Sequence, residues 1–279
     1  MSLPFLSAEE VGRRLDSTAA ADALEAALLA GLDPESDPAR TTVGLERGEL
    51  LVMPSAAGGR AAVKLVTVGG EPRIQGVCVV FDAETLAPAA VIDGIALTNL
   101  RTPAVSALAV RRLAIPDARR LLVFGRGPQA RAHAEALSAV RPIDRVDTVG
   151  REERAANELV AAADIICCCT TARAPLFDGS VVAGHATVVA IGSHEPGVRE
   201  TDDALARRAT VVVESRASAL REAGDVIGAI ASGAIEESNL VTLSELVGGR
   251  ATVADDRPRL FKSTGMAWED AVVSAALVA

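Results

Sequence analysis

The chain has 279 residues, 49% hydrophobic and only 2% aromatic, with a net charge of -9 at neutral pH. That length and apolar content suffice for one large domain or two moderate ones, while the acidic balance and the scarcity of aromatics exclude the basic faces and stacking platforms that hold nucleic acid. No apolar run is long enough to cross a bilayer, and the N-terminus lacks a basic segment followed by an apolar stretch, so a soluble cytoplasmic protein is expected.

Residues 17–32 are rich in Ala and Leu and end at Gly31 with Pro34 beyond, which predicts an amphipathic helix with a glycine stop. Strands follow over 49–54, 60–68, 76–82 and 88–92, punctuated by Gly58-Gly59, Gly69-Gly70 and a turn around 83–85; the second strand carries Lys64. A long helix is predicted over 98–114, opening with Thr98, Asn99 and Arg101 and closing before Pro116. This first part reads as an α+β layer.

At Arg119 the pattern changes. Residues 121–124 form a short apolar strand that runs directly into Gly125-Arg126-Gly127-Pro128-Gln129-Ala130 and then a helix to about Val140. In this GxGxxA setting the first glycine makes a tight turn, the second lets the backbone approach a pyrophosphate, and Ala130 permits close packing of helix on strand. The helix N-terminus offers free N–H groups and a positive dipole to phosphates. Strands over 146–149, 164–170, 187–191 and 210–214, with helices over 152–162 and 202–208, continue the alternation. Repeated βα units imply a parallel, doubly wound sheet of Rossmann type, with a dinucleotide crossing the carboxyl ends of its strands near Thr170 and Gly192. The C-terminal segment reads as a short strand at Leu260-Phe261, then Lys262-Ser263-Thr264-Gly265, then an apolar helix from Met266 that must pack on the first part of the chain or on a partner subunit.

Residue usage narrows the chemistry further. With no tyrosine, a tyrosine acid is excluded. Of the 28 basic residues only Lys64 and Lys262 are lysines, so these two positions are candidates for a compact amine that can release a proton, which guanidinium cannot do. Cys78 and the run Cys167-Cys168-Cys169 show no CxxC spacing and no histidine partner, so a buried strand is expected and no metal site. His133, on the helix after the glycine turn, and His185, in a turn, are expected to be structural. Asp93 reads as a turn residue, and Asp225 either orients a substrate or caps a helix.

Several segments together resemble the ornithine cyclodeaminase/mu-crystallin family: Val52-Met53-Pro54, Lys64-Leu65-Val66-Thr67, residues 93–104 with Asn99-Leu100-Arg101-Thr102-Pro103, Gly125 to Ala130, Ile191-Gly192-Ser193-His194, Gly224-Asp225 and Phe261 to Gly265. The resemblance implies an α/β protein with a Rossmann domain over 116–249 and an α+β substrate-binding and dimerisation domain built from both chain ends, 1–115 and 250–279. It also implies that Arg40, Lys64 and Arg101 form a substrate site lined by Ser263 and Thr264. Chemistry agrees: bidentate guanidinium suits a carboxylate, and a lysine pushed down by neighbouring arginines suits a proton donor to an imine nitrogen.

The resemblance places Pro128 and Gln129 at the pyrophosphate, Thr170 and the stretch ending at Ile191 along the dinucleotide, and Gly150-Arg151 at the adenosine ribose. Gly150 leaves room and Arg151 adds positive charge, which favours NADP over NAD; Arg126 adds charge in the turn.

Three departures matter. His194 stands where cyclodeaminases of the family carry a catalytic Asp, Leu51 stands where they carry a Glu for the distal amine, and the stretch 151–164 is too short for the helix, strand and helix usual there. His194 is thus either an acid/base at the nicotinamide or a polar loop residue. Three functions follow, each for an expected homodimer: an NAD(P)-dependent imine reductase or amino-acid dehydrogenase, an ornithine or lysine cyclodeaminase releasing ammonia, or a protein that binds cofactor and ligand without turnover.

Overall fold

The computed structural model describes residues 3–151, 153 and 155–279. The chain forms two units, Met1–Val105 with Met266–Ala279, and Ser106–Gly265.

In unit 1, β1 (Phe5–Leu6), α1 (Ala8–Arg14) and α2 (Ser17–Leu29) precede a meander of β2 (Thr41–Leu45), β3 (Gly48–Ala57), β4 (Arg60–Val68), β5 (Ile74–Asp82) and β6 (Pro88–Asp93). The strands lie in the order β1-β6-β5-β4-β3-β2, antiparallel except where β1 joins β6. The β3–β4 hairpin closes on two residues, Gly58 and Gly59, with φ of 60° and 73°. That is the type I′ geometry, open to glycine at both positions and matched to the twist of the strands. Alternation along the strands turns Leu51 and Met53 of β3, Ala62, Lys64 and Val66 of β4, Cys78 and Val80 of β5, and Ala90 and Ile92 of β6 to buried positions. Lys64 is the charged member of this otherwise apolar set.

The next helix, α3 (Gly94–Leu113), starts a turn earlier than the expected 98. Asp93 accounts for this: its carboxylate accepts from the backbone N–H of Ile95 and Ala96 at 2.9 Å each, satisfying donors the helix leaves open. The Thr98 hydroxyl, read from sequence as part of the helix opening, donates back to Gly94 O at 2.8 Å. Arg101 therefore lies in the second turn. Short β1 and α1, and the exposed strand β2, were not expected, because neither two residues nor an unburied strand leaves a readable hydrophobic period.

Unit 2 contains β7 (Arg120–Phe124), α4 (Pro128–Val140), β8 (Arg145–Val149), α5 (Asn157–Ala161), β9 (Ile165–Cys168), β10 (Thr187–Ala190), α6 (Asp203–Arg208), β11 (Thr210–Val213), α7 (Arg216–Glu222), α8 (Gly224–Ala231), β12 (Val241–Thr242), α9 (Leu243–Val247) and β13 (Arg259–Lys262). The seven strands are all parallel, in the order β12-β11-β13-β10-β9-β7-β8. Strand β13 slots between β10 and β11, so the chain stays with unit 2 until Gly265, where the sequence placed a return at 250. Likewise the first crossing lies at Val105 inside α3, where the sequence placed it at 115. A continuous helix carries no composition break at such a crossing.

The helix expected over 152–162 is only the five-residue α5; its expected start, Glu152, and Arg154 lie outside the described residues. With so short a connection β8 ends the sheet, Val146 is 46% exposed, and a cleft of about 320 Å³ opens beside Leu122, Leu159 and Ala162.

The last helix, α10 (Ala267–Leu277), belongs to unit 1, where it packs on α2, β3, β4 and β5. Its burial follows from its apolar sequence, and it brings Glu269 and Asp270 into the core with it.

Asp93→Ala is expected to destabilise the protein by about 1 kcal/mol, and Asp93→Asn by much less, since both Asp and Asn cap a helix and Ala does not. Urea denaturation of the three proteins measures this; an alanine variant as stable as the parent contradicts the cap.

Candidate active site

Lys64 is 2% exposed on the inner face of β4. Its ammonium lies 2.6 Å from Asp270 Oδ2. The guanidinium of Arg101 reaches Glu269 at 2.6 Å through one amino nitrogen and Asp270 at 3.2 Å through Nε. Two cations and two carboxylates thus share one buried cluster, and their charges cancel, as interior ions require. Burial is the largest influence on Lys64, followed by Arg101; Asp270 opposes both, and the ammonium is pushed down to about 8 from its ordinary 10.5. Sequence reading attributed such a shift to neighbouring arginines, but desolvation leads. Asp270 and Glu269 were missed. The readable signal was two adjacent acids inside a helix otherwise too apolar for solvent, which implies buried partners.

Arg40 is half-buried and directly precedes β2. Its neighbour Thr41 pairs with Val52, and the next residue of β3, Met53, pairs with Lys64.

In unit 2 the strands β8, β7, β9 and β10 are consecutive in the sheet, and their carboxyl ends lead into Gly150, Gly125, Cys169-Thr170 and Ile191-Gly192. Gly125 has φ of 116°, and an added Cβ would meet Cys169 O at 2.5 Å, so this turn accepts only glycine. Gly127 caps α4 with Pro128 in its first turn. A Cβ on Gly127 would meet nothing within 4 Å, so open space faces the N–H groups and positive dipole of a 13-residue helix, the arrangement a pyrophosphate needs. Ala130 is buried behind the turn, as expected for close helix–strand packing.

At the far end of this row Arg126 pairs with Glu153 at 2.8 Å, and Gly150 donates its N–H to the same carboxylate at 2.9 Å. Those two partners, the Gly150 donor first among the lowering causes, hold Glu153 below the usual carboxylate range. Glu153 was not read from the sequence, because it comes three residues after β8 rather than at its end. Arg151 is exposed, 3.4 Å from the Thr171 hydroxyl.

The row is tied together from beneath. Glu200 is fully buried and accepts from Thr170 N at 2.9 Å, Thr170 Oγ1 at 2.8 Å and Gly192 N at 2.7 Å, clamping the loops after β9 and β10. Burial pushes it up to about 7, against the opposing pull of Lys262 in β13 and of these donors. Asp225 accepts from Glu200 N, Thr201 N and Thr201 Oγ1 at 2.7 to 2.9 Å, and its other oxygen lies 3.2 Å from Lys262 Nζ. Burial works to raise Asp225, but Lys262 and the Thr201 donors outweigh it and hold it low. Lys262 also donates to Ser193 O at 2.8 Å. The second lysine of the chain therefore braces the loop that carries His194, and Asp225 caps that loop.

His194 is half-buried after β10. Ser263 and Thr264 are buried in unit 2, where the Ser263 hydroxyl accepts from Gly265 N at 3.2 Å and the Thr264 hydroxyl meets Glu214 at 3.2 Å and Ser218 at 2.9 Å. His185 pairs with Asp164 at 2.9 Å on the surface. The absence of a histidine beside the cysteine run held only along the sequence: α4 brings His133 against Cys167 and Cys169.

Residues 2–161 and 156–278 match the ornithine cyclodeaminase/mu-crystallin family, and the two matches overlap at 156–161, in the shortened connection before β9. The mouse ketimine reductase mu-crystallin is 36% identical over 306 aligned residues, covering 98% of this chain and 96% of its own. A Δ1-pyrroline-2-carboxylate reductase of Bacillus cereus is 34% identical over 262 residues, covering 82% and 80%. Among solved structures, the Δ1-pyrroline-2-carboxylate reductase of Thermococcus litoralis, in complex with NADH and L-proline, superposes with a TM-score of 0.90 at 27% identity, covering 99% and 96%.

Gly127→Ala is expected to leave thermal stability nearly unchanged while weakening dinucleotide binding at least tenfold, because its Cβ enters space that a pyrophosphate would fill. Differential scanning fluorimetry and NADPH fluorescence titration read the two effects; unchanged affinity contradicts the assignment of this turn.

Proposed function

Because the chain belongs to the ornithine cyclodeaminase/mu-crystallin family, we propose that it is an NAD(P)H-dependent reductase of the carbon–nitrogen double bond in small cyclic imino acids of the Δ1-pyrroline-2-carboxylate kind. The observation that carries this reading is the buried Lys64, 2.6 Å from Asp270 and poised to titrate at about 8. An ammonium with that value gives up a proton near neutral pH far more readily than an ordinary lysine.

In this reading Arg101 and Arg40 receive the substrate carboxylate, Arg101 held in place by Glu269 and Asp270. Lys64 hands a proton to the ring nitrogen in reduction and takes it back in amine oxidation. A bound nicotinamide supplies or accepts the hydride, and the residues that hold the dinucleotide are Gly125 to Ala130, Gly150, Arg151, Thr170, Ile191 and Gly192. His194 is assigned a secondary acid/base role. Ser263 and Thr264, engaged with Gly265, Glu214 and Ser218, are assigned to fixing the segment between β13 and α10.

Leu51 decides the substrate's size and polarity. It is 5% exposed on β3, two residues from Met53, the partner of Lys64, and it offers no charge to a distal amine. A compact apolar ring suits such a wall better than ornithine, which argues against cyclodeamination.

At the ribose, among the described residues, Arg126 and Arg151 outnumber Glu153, a balance that favours a 2′-phosphate. The protein is read as a cytoplasmic homodimer. Its four cysteines are unpaired, as a reducing compartment favours. Edge strand β2 is exposed along its whole length and carries Val43 and Leu45, 44% and 50% exposed, which a second copy would cover. No helix among the described residues is long and apolar enough to cross a membrane.

Two outcomes are expected. With NADPH and Δ1-pyrroline-2-carboxylate, loss of absorbance at the reduced-cofactor band shows turnover, and Lys64→Ala lowers kcat/KM by about 10²- to 10⁴-fold. Reduction needs the protonated amine, so its kcat/KM falls as pH rises through about 8, whereas amine oxidation rises over the same range; Asp270→Asn, which removes a raising influence, moves both breaks lower. A Lys64→Ala enzyme with parental turnover sinks the assignment. For the cofactor, Glu153→Gln is expected to raise the NADPH-to-NADH preference and Arg151→Ala to lower it, each read as a ratio of kcat/KM values; an unchanged ratio in both removes these residues from the ribose site.

A further inference from the structure

Cys167 and Cys168 end β9 and Cys169 follows directly; extended alternation sends Cys167 and Cys169 to one side of the sheet and Cys168 to the other. The sulfurs of Cys167 and Cys169 are 3.5 Å apart. His133, in the second turn of α4, faces them, and one ligand atom from each of the three residues falls within 4.8 Å of the other two. Cys167 and His133 are wholly buried and Cys169 is partly exposed. None of the three has a part in the reaction proposed above.

We propose that Cys167, Cys169 and His133 form a binding site for a thiophilic divalent cation of the zinc class, its fourth position filled by water from the open side of Cys169. The geometry carries this. A tetrahedral site with metal–sulfur bonds of about 2.3 Å has sulfurs about 3.8 Å apart and a sulfur–nitrogen edge of about 3.6 Å. The observed sulfur separation needs a change of only a few tenths of an ångström, and rotation of the cysteine side chains closes the sulfurs on the nitrogen. The His133 ring is already oriented as a ligand. Its Nδ1–H lies 2.8 Å from Gln129 O, a donor bond that fixes the tautomer and leaves the Nε2 lone pair outward. Ser106 Oγ is 3.0 Å from Nε2 and donates to that lone pair without metal; the cation takes its place.

Charge permits the burial. With the cation bound, two thiolates cancel its charge and a neutral imidazole adds nothing, so the group as a whole is uncharged. Its position gives it a consequence. Cys169 donates its N–H to Phe124 O at 2.9 Å, and its carbonyl is the atom that a side chain on Gly125 would strike. A cation on Cys169 therefore pins the floor of the glycine turn and is expected to change dinucleotide affinity.

The test uses the full chain, freed of metal by a chelator and kept reduced, titrated with Co(II) alone. The expected result is a thiolate-to-cobalt charge-transfer band with the visible bands of a tetrahedral ion, saturating at one equivalent and displaced by Zn(II). Cys167→Ser and Cys169→Ser lose the band, and Cys78→Ser and Cys168→Ser keep it. In the unaltered chain, Zn(II) slows alkylation of the partly exposed Cys169 at least tenfold by peptide mass spectrometry, which keeps the test valid if a serine variant fails to fold. No charge-transfer band at one equivalent, a band that survives Cys169→Ser, or alkylation indifferent to Zn(II) each overturns the site. None of these readouts depends on reductase activity, so the site and the proposed reaction fail separately.

Discussion

An ammonium on the buried face of a β-sheet costs several kcal/mol of lost hydration unless a carboxylate meets it or the proton leaves. Lys64 is in that position, and much of unit 1 follows from the way it is met. The meander makes the apolar face; α10, more than 170 residues downstream of the meander's end, covers that face and carries Asp270 to the amine. Arg101 from the second turn of α3 then balances the charge of Asp270 and Glu269. Neither end of the chain completes this cluster without the other, which gives a physical reason for a unit built from both ends. Burial and Arg101 outweigh the carboxylates, so the amine holds its proton less tightly than an ordinary lysine, while Asp270 helps keep it protonated at neutral pH.

Unit 2 meets a different constraint. A dinucleotide site at the carboxyl edge of a parallel sheet is made of loops, and loops are mobile unless tied. Here one buried carboxylate, Glu200, gathers the loops after β9 and β10, Asp225 fixes the segment bearing Glu200, and Lys262 of β13 pairs with Asp225. The chain keeps lysine at just two places, and both amines are buried against an aspartate. Their uses differ: one lies in the substrate cluster, the other ties β13 to the loop that carries His194.

The glycine turn, the alternation of strands and helices after Arg119 and the meander around Lys64 were legible because each rests on local signals: glycine spacing, period-two burial and turn residues. Lys64 stood out against a background of arginine. What was not legible depends on distance along the chain. Asp270 and Glu269 acquire meaning only when α10 returns to unit 1, and Glu200 only when two loops converge on it. The insertion of β13 between β10 and β11 moves a boundary that the family resemblance placed at 250, because strand order is set by pairing partners and not by sequence neighbours. Asp93 as a cap of α3 was within reach, since an aspartate before Gly94 is a helix-start signal, but the threonine and asparagine a turn later offered a competing one.

The central claim is that Lys64 holds a proton it can release near pH 8. With only two lysines in the chain, protein carrying 13C at the lysine ε-carbon gives two side-chain NMR signals, and Lys64→Ala assigns them. The account predicts that the Lys64 signal titrates near 8; titration at the ordinary 10.5 contradicts it.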